Sequence, residues 1–346
     1  MLSEVARFAM LGDEDAKALD LGREALAMAE EFGLDEVAAR TLNTLGVSRV
    51  KLGDRGGLAD IERALEMTES GSPERTRGFI NLASTLGELG EFRRSIELHE
   101  EGLSEAERLG APGPVRWLRA ERIWDEYLTG RWNEAAEHVE EYLADAETRE
   151  RHYMDVAVWE VRALIRLGRG DEAGALADSG HALDLGRAAQ DPQVLNPVLA
   201  FKSLILIASG RRAEAVPFVD ELLALLRSSS SGFLSYWATA LAVVLTELGR
   251  EGELETIVES ATVSTRWLDA ARTYASGAFG EAADVYAEIG SVPDEAFARL
   301  RAAEALVAAG RRPEADAQLQ RALTFYRSVG ATAYIREAES LFAASA

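Results

Sequence analysis

The chain contains no cysteine, which removes disulfides, thiolate metal sites and thiol nucleophiles together. Lysine is nearly missing as well: only Lys17, Lys51 and Lys202 accompany the arginines. Basic charge is in deficit overall, with 37 basic against 59 acidic residues and a net charge of −22. Such a chain repels phosphate backbones, so direct nucleic-acid binding is not expected. No basic amphipathic helix points to a membrane surface. The longest apolar stretch, Val198 to Ala208, is broken by Lys202 and falls short of a span. Met1 to Gly12 already carries Glu4 and Arg7 in a helical pattern, so no secretory leader is read there and a cytoplasmic location is expected.

The motifs of catalysis are missing too. No Gly-x-x-x-x-Gly-Lys-Ser/Thr run exists, and Lys202-Ser203 follows a phenylalanine without the glycines that cradle phosphates. No Gly-x-Ser-x-Gly elbow appears. His99, His138, His152 and His181 are too scattered for a metal-binding helix motif. Carboxylate pairs such as Asp125-Glu126 and Glu140-Glu141 are what solvated faces of an acidic chain produce. The expectation is a non-enzymatic protein with no cofactor and no metal.

What the chain has is helix formers. Alanine, leucine, glutamate and arginine dominate, and the hydrophobic fraction of 47% is ample for a core. Short apolar-Gly-polar turns recur at Gly12, Gly53, Gly90, Gly130, Gly168, Gly210, Gly249, Gly277 and Gly310. Their intervals are 41, 37, 40, 38, 42, 39, 28 and 33 residues, the mark of a repeat array. A glycine after a helix takes the left-handed conformation cheaply, and a second helix then starts. Pro313 fits just inside one such start, and Asn196-Pro197 reads as a cap followed by a first helical residue.

Second helices share small residues at matched spacing, as in Trp132-Asn133-Glu134-Ala135-Ala136 leading to Tyr142-Leu143. First helices share Leu42-Asn43-Thr44-Leu45-Gly46 and Phe79-Ile80-Asn81-Leu82-Ala83. This spacing resembles the tetratricopeptide (TPR) repeat. The resemblance implies an all-α, right-handed superhelical solenoid of eight or nine helix-turn-helix units over 1–346, closed by a capping helix at Tyr334 to Phe342. The short first helix, Met1 to Leu11, looks cut near its start. The serine-rich stretch 227–232 is a candidate boundary between sub-arrays. Gly57 to Leu65, Trp117 to Arg122 and Phe325 to Ala331 further resemble the C-terminal repeats of bacterial STAND-type ATPases fused to cyclase or LuxR-type DNA-binding domains. That resemblance implies a sensor or scaffold arm of a bacterial signalling or transcription regulator.

In such arrays the first helices line a concave groove. Helical spacing puts Arg40, Asn43, Arg77, Asn81, Glu121, Trp124, Trp159 and Arg162 on its stripe. Arginine holds a carboxylate and asparagine pairs with a peptide backbone, so a peptide or protein partner is expected there. The tryptophans fit the buried stripe of the repeat better than the groove. A small-molecule effector that gates a missing effector domain is the alternative, and self-association is left open.

Overall fold

The structure is a computed structural model describing residues 1–146, 148–228 and 234–343. Among the described residues there are 19 α-helices and no strand. They pack as successive pairs, from α1 with α2 to α17 with α18, followed by α19 (Thr332–Ala343). Local chemistry sets the ends. Ser72 accepts from the Arg75 amide at 3.2 Å ahead of Pro73, and Gly90 closes the same helix in the left-handed region.

Three turn readings shift. Gly12 keeps φ at −91° and its neighbour Asp13 takes the positive φ instead. Gly168 lies inside α9 (Asp155–Arg169), and Gly170 is the left-handed residue. Asn196-Pro197 does not start a helix: α11 (Pro192–Ala208) begins earlier, where Asp191 accepts from the Gln193 amide at 2.8 Å. An Asp-Pro cap outcompetes an Asn-Pro one turn later, and Pro197 is absorbed into the first turns.

The chain divides into two compact units, and the division falls inside α7 (Pro112–Leu128), between Arg122 and Ile123. The serine-rich 229–232 lies outside the described residues.

Unit 1 holds Met1–Arg122 with Ser260–Thr265. Its inner helices α1 (Leu2–Leu11), α3 (Asp35–Lys51) and α5 (Pro73–Leu89) lie side by side, each backed by α2 (Asp15–Glu31), α4 (Gly57–Glu66) or α6 (Phe92–Leu109). Small residues permit the close approach: a Cβ at Gly46 would stand 2.5 Å from the Gly57 carbonyl. Val263 of the Ser260–Thr265 segment packs on Val50 and Leu89.

Unit 2 holds Ile123–Ser228, Tyr236–Glu259 and Arg266 onward. Here the inner helices form a ring. α9, α11, α13 (Ala238–Leu248) and α15 (Arg266–Ala275) follow side by side. α16 (Phe279–Ile289) links to α17 (Val292–Ala308), and α19 lies against both α17 and α9. Helix α13 is buried from Ala238 through Leu245, as a helix apolar on every face should be.

Candidate functional site

In unit 1 the stripe read from sequence forms a polar ladder between inner helices. Arg40 on α3 donates to Glu4 of α1 at 2.6 Å and to Glu74 of α5 at 2.7 Å. Arg77 donates to the Arg40 carbonyl at 2.9 Å and pairs with Glu74 at 2.8 Å. Below them Asn81 donates to the Asn43 side chain at 2.6 Å, and Asn43 is 1% exposed. A third rung joins Lys51 to Asp13 at 2.8 Å. Burial pushes the Glu88 carboxyl up to about 7; Lys51 opposes the rise, and the like charges of Glu121 and Asp13 add to it. The ladder thus satisfies most of its own groups. The Ser84 hydroxyl and the Arg77 Nε–H are left without partners.

The remaining sequence-derived residues lie in unit 2. Trp124 is 5% exposed and packs on Tyr127, Phe201 and Tyr236, at ring separations of 5.6, 5.5 and 4.9 Å. Trp159 and Arg162 turn toward α10 (Glu172–Ala189), the partner helix of their own pair. Trp159 meets His181 at 4.3 Å, and Arg162 forks onto both Asp178 oxygens at 2.9 Å while covering the Trp159 ring.

Sequence spacing does not show what unit 2 builds instead: a continuous arc of aromatic rings. From Trp124 it passes to Tyr127, stacks on Trp132 at 5.3 Å, and meets Phe325 edge-on at 5.5 Å. It continues through Tyr326 and Tyr334 to Phe297 and Tyr274. One composition signal marks it: all eight tyrosines fall in unit 2, and none precedes Tyr127. The Tyr326 hydroxyl, the Trp124 Nε1–H and Arg301 Nε are buried without a hydrogen-bond partner. Near the arc stands Asp294, whose carboxyl burial pushes up to about 7 while the Ser291 hydroxyl, donating at 2.6 Å, holds it down.

The ring closes where α18 (Arg312–Val329) and α19 meet the turns around α8 (Trp132–Ala146). Thr332 donates to the Arg169 carbonyl at 2.6 Å, and Arg169 Nε donates to the Val329 carbonyl at 3.3 Å. Gly130 is required twice over there. Its φ is +80°, and a Cβ would stand 2.9 Å from the Phe325 ring.

Beside this closure opens a cleft of about 500 Å³, lined by Thr129, Gly130, Val292, Glu295, Arg299, Arg321, Thr324, Phe325 and Ser328. Glu295 is gripped by Arg299 at 2.6 Å and Arg321 at 2.7 Å. Arg299 is almost fully buried and also donates to Gln318 and Asp284. Arg321, Thr324 and Ser328 remain exposed at the rim. The volume is that of a small-ligand or peptide side-chain site. Its chemistry is one apolar wall, several hydroxyls and a guanidinium with solvent access.

No family model matches the chain and no curated protein matches it. Solved structures do. A Rap protein complexed with Competence and Sporulation Factor is similar with a TM-score of 0.70 and 12% identity, covering 95% of this chain and 97% of that one. A tetratricopeptide repeat protein from Parabacteroides merdae ATCC 43184 covers 80% of this chain and 97% of its own, at 13% identity and a TM-score of 0.47. At such identity the likeness is one of fold, and the fold of this chain is the all-helical tetratricopeptide-like solenoid fold.

Proposed function

We propose that the chain is a non-catalytic binding scaffold, and that a peptide or protein segment docks in the cleft beside the ring closure of unit 2. The carrying observation is the cleft itself: ligand-sized space with Arg321, Thr324 and Ser328 open at its rim and Phe325 in its wall. A side-chain or terminal carboxylate suits Arg321, and an apolar side chain suits Phe325. The Arg40, Asn43, Arg77, Asn81 and Glu121 stripe of unit 1 is the competing surface. It is less favoured because its groups are buried as well as paired: Asn43 is 1% exposed and the Arg40 and Arg77 side chains 26% and 18%, whereas Arg321, although paired with Glu295, is 56% exposed. That the similar Rap structure carries a bound factor supports a binding role.

A second reading has its own observation. The ring of unit 2 closes through the Thr332–Arg169 and Arg169–Val329 hydrogen bonds and the Trp132–Phe325 contact, so a small effector that fits the closed form better than an open one would shift its closure. The repeat strings at Gly57–Leu65 and 325–331 support a sensor arm of a larger regulatory protein on either reading.

The test is thermal unfolding against a panel of peptides and metabolites. A ligand at about a hundred times its Kd adds roughly 2.7 kcal/mol to the folded state. The cleft reading requires Thr324→Trp to abolish the shift and Arg77→Ala/Asn81→Ala to leave it intact. The reverse pattern moves the site to unit 1. A shift that survives both sets sinks both surfaces.

A further inference from the structure

Given the docking proposed above, on which this rests, we infer that the segment enters the cleft of unit 2 by its free C-terminal end. Its terminal carboxylate lies on Arg321 and its last backbone N–H on Glu295. The hydrogen-bonding positions already in use carry the assignment. Arg299 and Arg321 both donate to the same oxygen of Glu295, Oε1, at 2.6 and 2.7 Å. Among the described residues no hydrogen bond reaches Oε2, although an ionised carboxylate has about four acceptor positions. Arg321 gives only Nη2 to Glu295, so its Nε and Nη1 are open on a side chain that is 56% exposed. Arg299 is matched by Glu295 and by the exposed Asp284, which leaves Arg321 as the guanidinium in excess.

The hydroxyls of the lining are spent as donors. Thr324 donates to the Gln320 carbonyl at 2.8 Å, Ser328 to the Phe325 carbonyl at 2.7 Å and Thr129 to the Asp125 carbonyl at 2.6 Å. Toward the cleft Thr324 and Ser328 therefore offer lone pairs alone. A ligand must bring an anion to Arg321 and N–H donors to Glu295 Oε2, Thr324 and Ser328. A phosphate or sulfate fits badly, because most of its oxygens would face acceptors. The end of a peptide carries both kinds of group.

Spacing along α18 matches an extended chain. Arg321, Thr324 and Ser328 follow one another at three and four residues, so they share one helical face. At 1.5 Å per residue the row is about 10 Å long, which an extended chain covers in about three residues at ~3.3 Å each. In a C-terminal residue the carboxylate and the backbone N–H hang on one Cα. That closeness is what Arg321 and Glu295, paired at 2.7 Å, require of a ligand that serves both. An aspartate or glutamate side chain holds its carboxylate further from the backbone N–H. The last side chain then meets Phe325 and Val292, the apolar part of the lining, and an aliphatic one suits them.

Thermal unfolding of the full chain with peptide pools tests this, the probe being acetylated pentapeptides of mixed uncharged sequence that end in leucine. The free-acid pool should bind about ten to a hundred times more tightly than the same pool as C-terminal amides. N-methylation of the last peptide bond, which leaves the protein untouched, should weaken the free-acid pool about tenfold. Arg321→Gln, at an exposed side chain, should abolish the preference for the acid and leave the amide pool unchanged. Thr324→Trp should remove all binding. Acid and amide pools that bind alike, with Thr324→Trp blocking both, overturn the C-terminal assignment and leave the cleft reading standing. So does an amidated pool with aspartate next to its end that binds as well as the free acid, or an N-methylated pool of full affinity. No shift with any pool, or a shift untouched by Thr324→Trp, overturns the cleft reading and the assignment together.

Discussion

The two units solve one problem in opposite ways. Each must fill the inner side of a row of helices, where side chains from neighbouring pairs converge. Unit 1 fills it with matched charges and amides, rung by rung from Glu4–Arg40–Glu74 to Asp13–Lys51. Unit 2 fills it with rings, from Trp124 round to Tyr274, and closes on itself. A polar ladder demands that each group find its partner, because an orphan is costly when buried. An aromatic arc demands volume and shape, and tolerates polar tips that wait for a partner. The ladder pairs most of its polar groups with one another, whereas the arc carries polar tips, such as the Tyr326 hydroxyl, buried among rings without a partner.

The largest expected effect breaks the arc. Trp132 is 2% exposed, stacks on Tyr127, meets Phe325 and donates to the Tyr127 carbonyl at 3.1 Å. Trp132→Ala should cost about 3–5 kcal/mol. Urea unfolding followed by circular dichroism should then show an early phase confined to unit 2. A single shifted transition would mean that the units do not unfold separately.

Next comes a matched pair of half-buried acids, one per unit. Glu88 and Asp294 are both raised to about 7 by burial. Folding therefore favours the protonated acid. The stability present below the unfolded values of 4.5 and 3.8 is lost as pH rises through about 7. Asp294→Asn should stabilise by about 2–3 kcal/mol at pH 8 and hardly at pH 4. Glu88→Gln should gain less, because Lys51 favours the charged form of Glu88. Equal gains would show that Lys51 does little for Glu88. Thermal unfolding at both pH values decides.

Smaller is the loss from Arg40→Ala, about 1 kcal/mol at low salt and less at high salt, since that side chain is 26% exposed. A salt-independent loss would assign its role to packing rather than charge. The smallest change leaves both ladder and arc alone. Gln190 caps α10 with φ of +54°, and Gln190→Gly should stabilise by about 0.5 kcal/mol. This sets the scale of a pure backbone effect against which the others are read by the same melts.

Helix pairing was legible because its cause is local: glycine at helix ends, small residues where helices touch, polar starts. Gly168 shows the limit. It keeps the repeat interval for a packing reason, since a Cβ there would meet Trp132 at 2.7 Å and Tyr334 at 3.3 Å, while Gly170 makes the turn. The stripe Arg40, Arg77, Asn81 was legible as a stripe, but spacing alone does not reveal that Glu74 and Asn43 already hold it. Trp159 and Arg162 share the periodicity of an inner face yet turn to α10, because Asp178 is placed to receive the guanidinium. The closure between Arg169 and Thr332 left no mark at all. It joins residues 163 positions apart, and no local pattern encodes such a meeting.

That distance along the chain has a kinetic meaning. Neighbouring pairs meet across short loops; Asn43 and Asn81, for example, are 38 residues apart. Closing the ring through Thr332 and Arg169 from a flexible chain costs about 1.3 kcal/mol more in loop entropy by the logarithmic law, so the closure is favoured only once the intervening helices have packed and removed that cost. Unit 2 should therefore not zip from any repeat outward, as an open array does. Its last turn of α18 and its α19 arrive late, and the rate of that arrival limits when a cleft exists to be filled.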